Sequence, residues 1–191
     1  MRCPALHCVY GFDHPSLKKY EQQFQTGVLK NKEALLRILR QSRDEQQRAR
    51  AAFLLAHLAD PVEITQLFLQ SITDPSEMAR NNVMRVLGEI AEKRKEAPIP
   101  VEPIIKALNY PATTDRNKAL YILDGLADNP KNRAIIIGEA GTLLIKLLRL
   151  YQPNNHDYAY TILKKVSGKN YGERDYKAWE QWVNKATGRK G

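Results

Sequence analysis

An arginine followed eleven residues later by an alanine occurs three times in this chain: Arg48 and Ala59, Arg80 and Ala91, Arg116 and Ala127. A weaker copy runs from His156 to Ser167, and the copies begin 32, 36 and 40 residues apart. The columns between the anchors agree: Ala51, Val83, Ala119 and Ala159; Leu54, Val86, Ile122 and Ile162; Leu55, Leu87, Leu123 and Leu163; Leu58, Ile90, Leu126 and Val166. They stand 3, 6, 7 and 10 residues after the anchor, the stripe of an amphipathic helix of period 3.6. Repetition at this period is the most constraining feature of the sequence. One such unit cannot bury its apolar stripe alone, whereas stacked units share a continuous core.

A second helical stretch precedes each of these B helices. The A helices are expected at Lys32–Gln41, Val62–Ile72, Val101–Leu108 and Ala134–Tyr151, the last with a bend at Gly138 and Gly141. Turn chemistry separates them, at Asp60-Pro61, Thr73-Asp74-Pro75-Ser76, Ala97-Pro98-Ile99-Pro100, Tyr110-Pro111, Asn129-Pro130 and Gln152-Pro153-Asn154-Asn155. No segment alternates like a strand between hairpin turns, so an all-α array of helix pairs is expected. Open core ends need caps. At the N-terminus Leu17, Tyr20 and Phe24 stand at helical spacing in Ser16–Phe24, and at the C-terminus a helix from about Asp175 carries Tyr176, Trp179, Trp182 and Val183 on one side.

The period, the paired helices and the segment Asp74-Pro75-Ser76-Glu77-Met78-Ala79-Arg80 resemble HEAT repeats over about residues 30–168. The six-residue Asp-to-Arg spacing occurs in the second unit alone, and His156 replaces the arginine in the fourth. The fuller set, with Gly11-Phe12-Asp13-His14-Pro15, Arg80-Asn81-Asn82, Asp115-Arg116-Asn117-Lys118-Ala119 and the Trp-containing end, is similar to bacterial HEAT-repeat proteins of unassigned role. The resemblance implies a right-handed α-α superhelix (a HEAT/armadillo-like solenoid) of about four helix pairs with helical caps, its B helices lining a concave face. The expected organisation is an N-terminal extension and cap at 1–28, a repeat array at 29–168 and a capping helix at 169–191. Some proteins of this kind are exported. A cytoplasmic location is the default expectation, with export after signal removal as the alternative.

Composition narrows the function classes. With 43% hydrophobic and 27% charged residues the chain is of globular type, neither disordered nor low-complexity. No apolar run reaches the roughly 18 to 20 residues of a membrane helix, and residues 1–15 hold no continuous apolar signal core. The formal charge is +9, which raises the question of nucleic acid. The excess lies at the ends: residues 1–60 hold ten basic against six acidic side chains, residues 164–191 eight against three, and residues 61–163 twelve of each. Neutral central repeats suit a protein or peptide better than duplex DNA, whose recognition wants a basic track throughout.

Positions 1, 2, 5 and 9 after each anchor should point away from the core. They bring Arg50, Phe53, Asn82, Arg85, Lys118, Tyr121 and Tyr158 onto one strip, the expected partner-binding surface, with His57 facing outward beside them. Arginine and aromatic side chains supply contact area and hydrogen bonds in such surfaces. Asn81, Asn82 and Asn117 offer both a donor and an acceptor to a peptide amide, as related armadillo arrays do. The Arg48, Arg80 and Arg116 column falls on the apolar arc and is expected to be structural, each guanidinium bridging carboxylates or loop carbonyls.

No nucleophile elbow, phosphate loop, dinucleotide fingerprint or zinc-protease motif is present. Cys3, His7, Cys8 and His14 lack the second tight ligand pair of a zinc site, so no metal is expected; Cys3 and Cys8 are read as a short-range disulfide in an exported protein or as thiols in the cytosol. His14, before Pro15, is expected to cap a turn. The expected function is non-catalytic binding of a protein or peptide by a monomer, without cofactor or membrane insertion. The alternative is a nucleic-acid-binding protein, similar to HEAT-like alkylpurine DNA glycosylases in fold and charge alone.

Overall fold

The computed structural model describes Leu6 and residues 14–188; Cys3, His7 and Cys8 lie outside them. The described residues form ten α-helices and a 3-10 segment, with no strand among them. They gather into two compact units, Met1–Ile99 and Pro100–Gly191.

The first unit contains α1 (Pro15–Lys30), α2 (Lys32–Gln41), α3 (Glu45–Leu55), α4 (Pro61–Phe68), a 3-10 segment (Leu69–Thr73) and α5 (Glu77–Lys93). Helix α2 packs on α3, α4 and the 3-10 segment on α5, and α1 against α2 and α3. The two B helices, α3 and α5, pack on each other. The joints read as turns from sequence act as helix caps. Asp44 accepts from the Gln46 and Gln47 amides, Asp60 from Val62 and Ser76 from Ala79, each taking up an amide that the first turn leaves without a partner. Pro61 occupies the first helical position, where its missing N–H is not needed. His14 caps α1, its Nδ1 accepting from the Ser16 amide at 3.3 Å.

The second unit contains α6 (Val101–Ala107), α7 (Thr113–Leu126), α8 (Pro130–Leu148), α9 (Pro153–Ser167) and α10 (Tyr176–Ala186). Here A packs on A (α6 on α8) and B on B (α7 on α9), with α6 on α7 and α8 on α9 closing the pairs. Asn129 caps α8, and α9 ends at Gly168 with φ of 65°, a left-handed conformation that costs glycine little. Helix α10 packs on α8. Its Trp179 is fully buried, donates to Gly172 O at 3.0 Å and meets Tyr160 and Tyr171 edge-on.

The core columns largely coincide with the sequence ladder: Ala51, Leu55, Val83, Val86, Leu87 and Ile90 are buried in the first unit, and Ala119, Ile122, Leu123, Ala159, Ile162 and Leu163 in the second. The helix boundaries differ in three places. The second A helix is α only to Phe68 and continues as a 3-10 turn. The fourth A helix, expected at Ala134–Tyr151, runs unbroken for 19 residues from Pro130 to Leu148, through Gly138 and Gly141. And α3 stops at Leu55, its end tightened by bonds from His57 N to Leu54 O and from Leu58 N to Leu55 O. Such three-residue bonds change the rotational phase. His57, expected on the outer face, therefore turns inward and is 5% exposed, while Ala59 is exposed.

Candidate functional site

The recurring arginines hold the joints. The guanidinium of Arg48 forms a two-pronged pair with Asp74, Nε to Oδ2 at 2.8 Å and Nη2 to Oδ1 at 2.9 Å, and donates through Nη1 to Ser42 O. Asp74 belongs to the following helix pair, so this arginine ties two repeats. Arg80 donates to Asp74 O and Pro75 O, and Arg116 to Tyr110 O and Pro111 O. In each case the carbonyls lie six and five residues upstream, in the loop that leads into the arginine's own helix. Arg133 makes the same bonds to Ala127 O and Asp128 O although it stands outside the sequence ladder. His156 serves the fourth repeat, Nδ1 reaching Leu148 O and Nε2 reaching Glu173, both at 2.5 Å.

In the first unit, three of the residues assigned to the binding strip surround one groove of about 660 Å³: Arg50 and Phe53 from α3 and Asn82 from α5. Arg50 is exposed and donates to Gln46 Oε1 at 3.2 Å. Phe53 is half-buried and tilts on the His57 ring, on which the ring of Phe24 from α1 also stacks, 5.2 Å away. Burial pushes the His57 pKa below the ordinary imidazole value. Asn82, which lines the groove, donates from Nδ2 to Ala49 O at 2.9 Å, stapling α5 to α3. Arg85 is half-buried on α5, with its Nε out of solvent, and does not line the groove.

Gln46, Met78 and Phe24 complete the wall together with Ala49 and Leu54, and sequence reasoning missed those three. For Gln46 and Met78 a signal existed. Each lies four residues before an assigned strip residue, Arg50 and Asn82, so extending the helical stripe one turn toward the N-terminus reaches both. Phe24 had been assigned to a cap, and no local pattern shows that the α1 ring docks on α3.

In the second unit Tyr121 and Tyr158 form a tilted ring pair 5.9 Å apart, linking α7 to α9. Beside them Lys118 donates from Nζ to Asn117 Oδ1 at 3.0 Å, and Asn117 donates to Asn154 O at 2.8 Å. Asn82 and Asn117 thus play the same part, each spending one amide donor on the backbone of the neighbouring B helix. Lys165 of α9 lies 3.0 Å from both Asp124 and Asp128; burial, the largest single effect, lowers its pKa, and the two aspartates together outweigh it and raise the pKa above the ordinary lysine value.

Among the described residues, His156, Asp157 and Glu173 place ligand atoms within 4.8 Å of one another and could hold a metal ion. Arg149 and Arg174 line the same cleft of about 380 Å³ and oppose a cation there. No helix among the described residues is long and apolar enough to cross a membrane.

Within each unit, helix pairs whose B helices pack on each other, with first-turn arginines holding the joints, define a HEAT/armadillo-like α-solenoid. Residues 33–124 match the family model for HEAT repeats. Among solved structures, a computationally designed armadillo-repeat protein for modular peptide recognition is similar at 18% identity and a TM-score of 0.59, over 91% of this chain and 83% of that one. A designed armadillo-repeat protein in complex with the peptide (KR)4 is similar at 17% identity and a TM-score of 0.58, over 92% and 96%. An engineered protein is similar at 18% identity and a TM-score of 0.58, over 82% and 68%. None of the curated proteins compared matches the sequence.

Proposed function

We propose that this chain is a non-catalytic module that binds a partner protein or peptide on the outward faces of its B helices, using Arg50, Phe53, Asn82 and Arg85 in the first unit and Lys118, Tyr121 and Tyr158 in the second. The observation that carries the reading is the groove of the first unit: three strip residues from two successive B helices converge on one cavity. The face is built as recognition surfaces are built, with aromatic anchors beside hydrogen-bonding side chains on rigid helices. Two of the similar designed proteins are peptide binders by description, and helical-repeat solenoids commonly serve as binding scaffolds. Neutral charge over residues 61–163 favours a peptide over duplex DNA.

Photo-crosslinking tests this. A benzophenone side chain replaces Phe53, Tyr121 or, as control, the exposed Arg40 of α2, and each variant is offered peptides selected from a random 12-residue library on the wild-type chain. Crosslinking from positions 53 and 121 but not 40 supports the reading. Equal yields from all three, or crosslinking from position 40 alone, overturn it.

A further inference from the structure

From the chemistry of this groove we infer that its occupant is an acidic peptide segment, carrying a bulky apolar side chain with an aspartate or glutamate within about two residues of it along an extended chain. The inference rests on the binding reading above and names the partner's chemistry.

The groove has two parts. Its floor is apolar: Phe24 and Phe53 supply ring faces, Leu54 is the one ladder leucine left half-buried, and Met78 is 49% exposed. A volume of about 660 Å³ admits a leucine, methionine or phenylalanine side chain with room for its backbone, and a flexible thioether at the wall adapts to any of them. Its rim carries the charge. Among the described residues of the lining, Arg50 is the one ionisable side chain. Gln46 Oε1 holds the guanidinium of this exposed side chain. A guanidinium presents a planar fork of donors to a carboxylate, whereas a lysine or arginine brought to the same rim meets a like charge. Asn82, whose Nδ2 donates to Ala49 O, adds an amide oxygen that can accept a peptide N–H.

The test uses the intact chain and a random 12-residue phage library, followed by fluorescence polarisation of one enriched peptide and of its counterparts with each acidic residue changed to lysine or each bulky apolar residue changed to serine. The expected enriched motif pairs a bulky apolar residue with Asp or Glu. Arg50→Glu should weaken the acidic peptide by about five- to tenfold and strengthen the lysine counterpart. Phe53→Ala should weaken both by about tenfold or more. Unchanged circular dichroism shows that each variant is folded, and Arg50, being exposed, removes no core contact. Enriched peptides that are basic or uncharged, or an affinity indifferent to Arg50→Glu, overturn the acidic assignment, and the binding reading survives if Phe53→Ala nevertheless weakens their capture. Failure of every peptide to exceed background overturns both.

Discussion

Arg48 and Asp74 form an ion pair almost wholly withdrawn from water. The Arg48 and Asp74 side chains are 11% and 7% exposed, and the carboxylate also caps the Ser76 amide at 2.7 Å. Truncating one member of such a pair strands the other charge. Arg48→Ala should cost about 3 kcal/mol, read as a lowered urea midpoint, and Arg48→Lys should recover only part of it because an ammonium has no fork. His57 makes a second prediction. Its ring lies between Phe24 and Phe53, and burial lowers its pKa from the ordinary 6.5. The unfolded chain therefore takes up a proton first as the pH falls. Stability is full above 6.5 and is lost as pH falls from there toward the depressed folded value. Urea midpoints followed by circular dichroism should decline over that window, and His57→Phe should remove the part of the decline due to this ring. A third concerns Asn155, which is fully buried with neither amide atom paired among the described residues. The same ladder position in the second repeat is the fully buried Ala79. Asn155→Ala should be neutral to stabilising by about 1 kcal/mol, since an unmatched buried amide costs that much.

At the scale of elements, two glycines of one helix separate propensity from packing. Gly138 is exposed with nothing near its missing Cβ, so Gly138→Ala should stabilise α8 by about 0.5 to 1 kcal/mol. A Cβ on Gly141 would stand 2.9 Å from Val183 Cγ1 and 3.0 Å from Ile137 Cδ1. Gly141→Ala should cost about 1 kcal/mol or more through overpacking and redden the emission of Trp179 as α10 is pushed away; thermal melts and tryptophan fluorescence distinguish the pair. From sequence both looked like helix-bending glycines. The reason Gly141 is small lies more than forty residues downstream on another helix, and no local pattern carries it. The same limit hid Phe24. What was legible had a period: Ala51, Val83, Ala119 and Ala159 repeat, and all four are buried. Where the helix stopped early the period misled, because the turn after Leu55 rotated His57 inward. Arg133 escaped notice for the opposite reason. It caps the same kind of joint as Arg48, Arg80 and Arg116, but from an A helix, outside the repeating column.

At the scale of the whole molecule, the basic excess belongs to residues 1–60 and 164–191, and the one groove residue that uses it is Arg50. The central claim is that binding belongs to the B-helix face. Its most direct test is the affinity of one selected peptide for three forms of the chain: wild type, the groove variant Arg50→Glu with Phe53→Ala, and the A-face variant Arg37→Glu with Arg40→Glu, whose residues are exposed on α2. The account predicts that the groove variant loses at least about tenfold in affinity while the A-face variant, with the greater change in net charge, binds as wild type does. Equal losses in both variants, or a loss confined to the A-face variant, would contradict it.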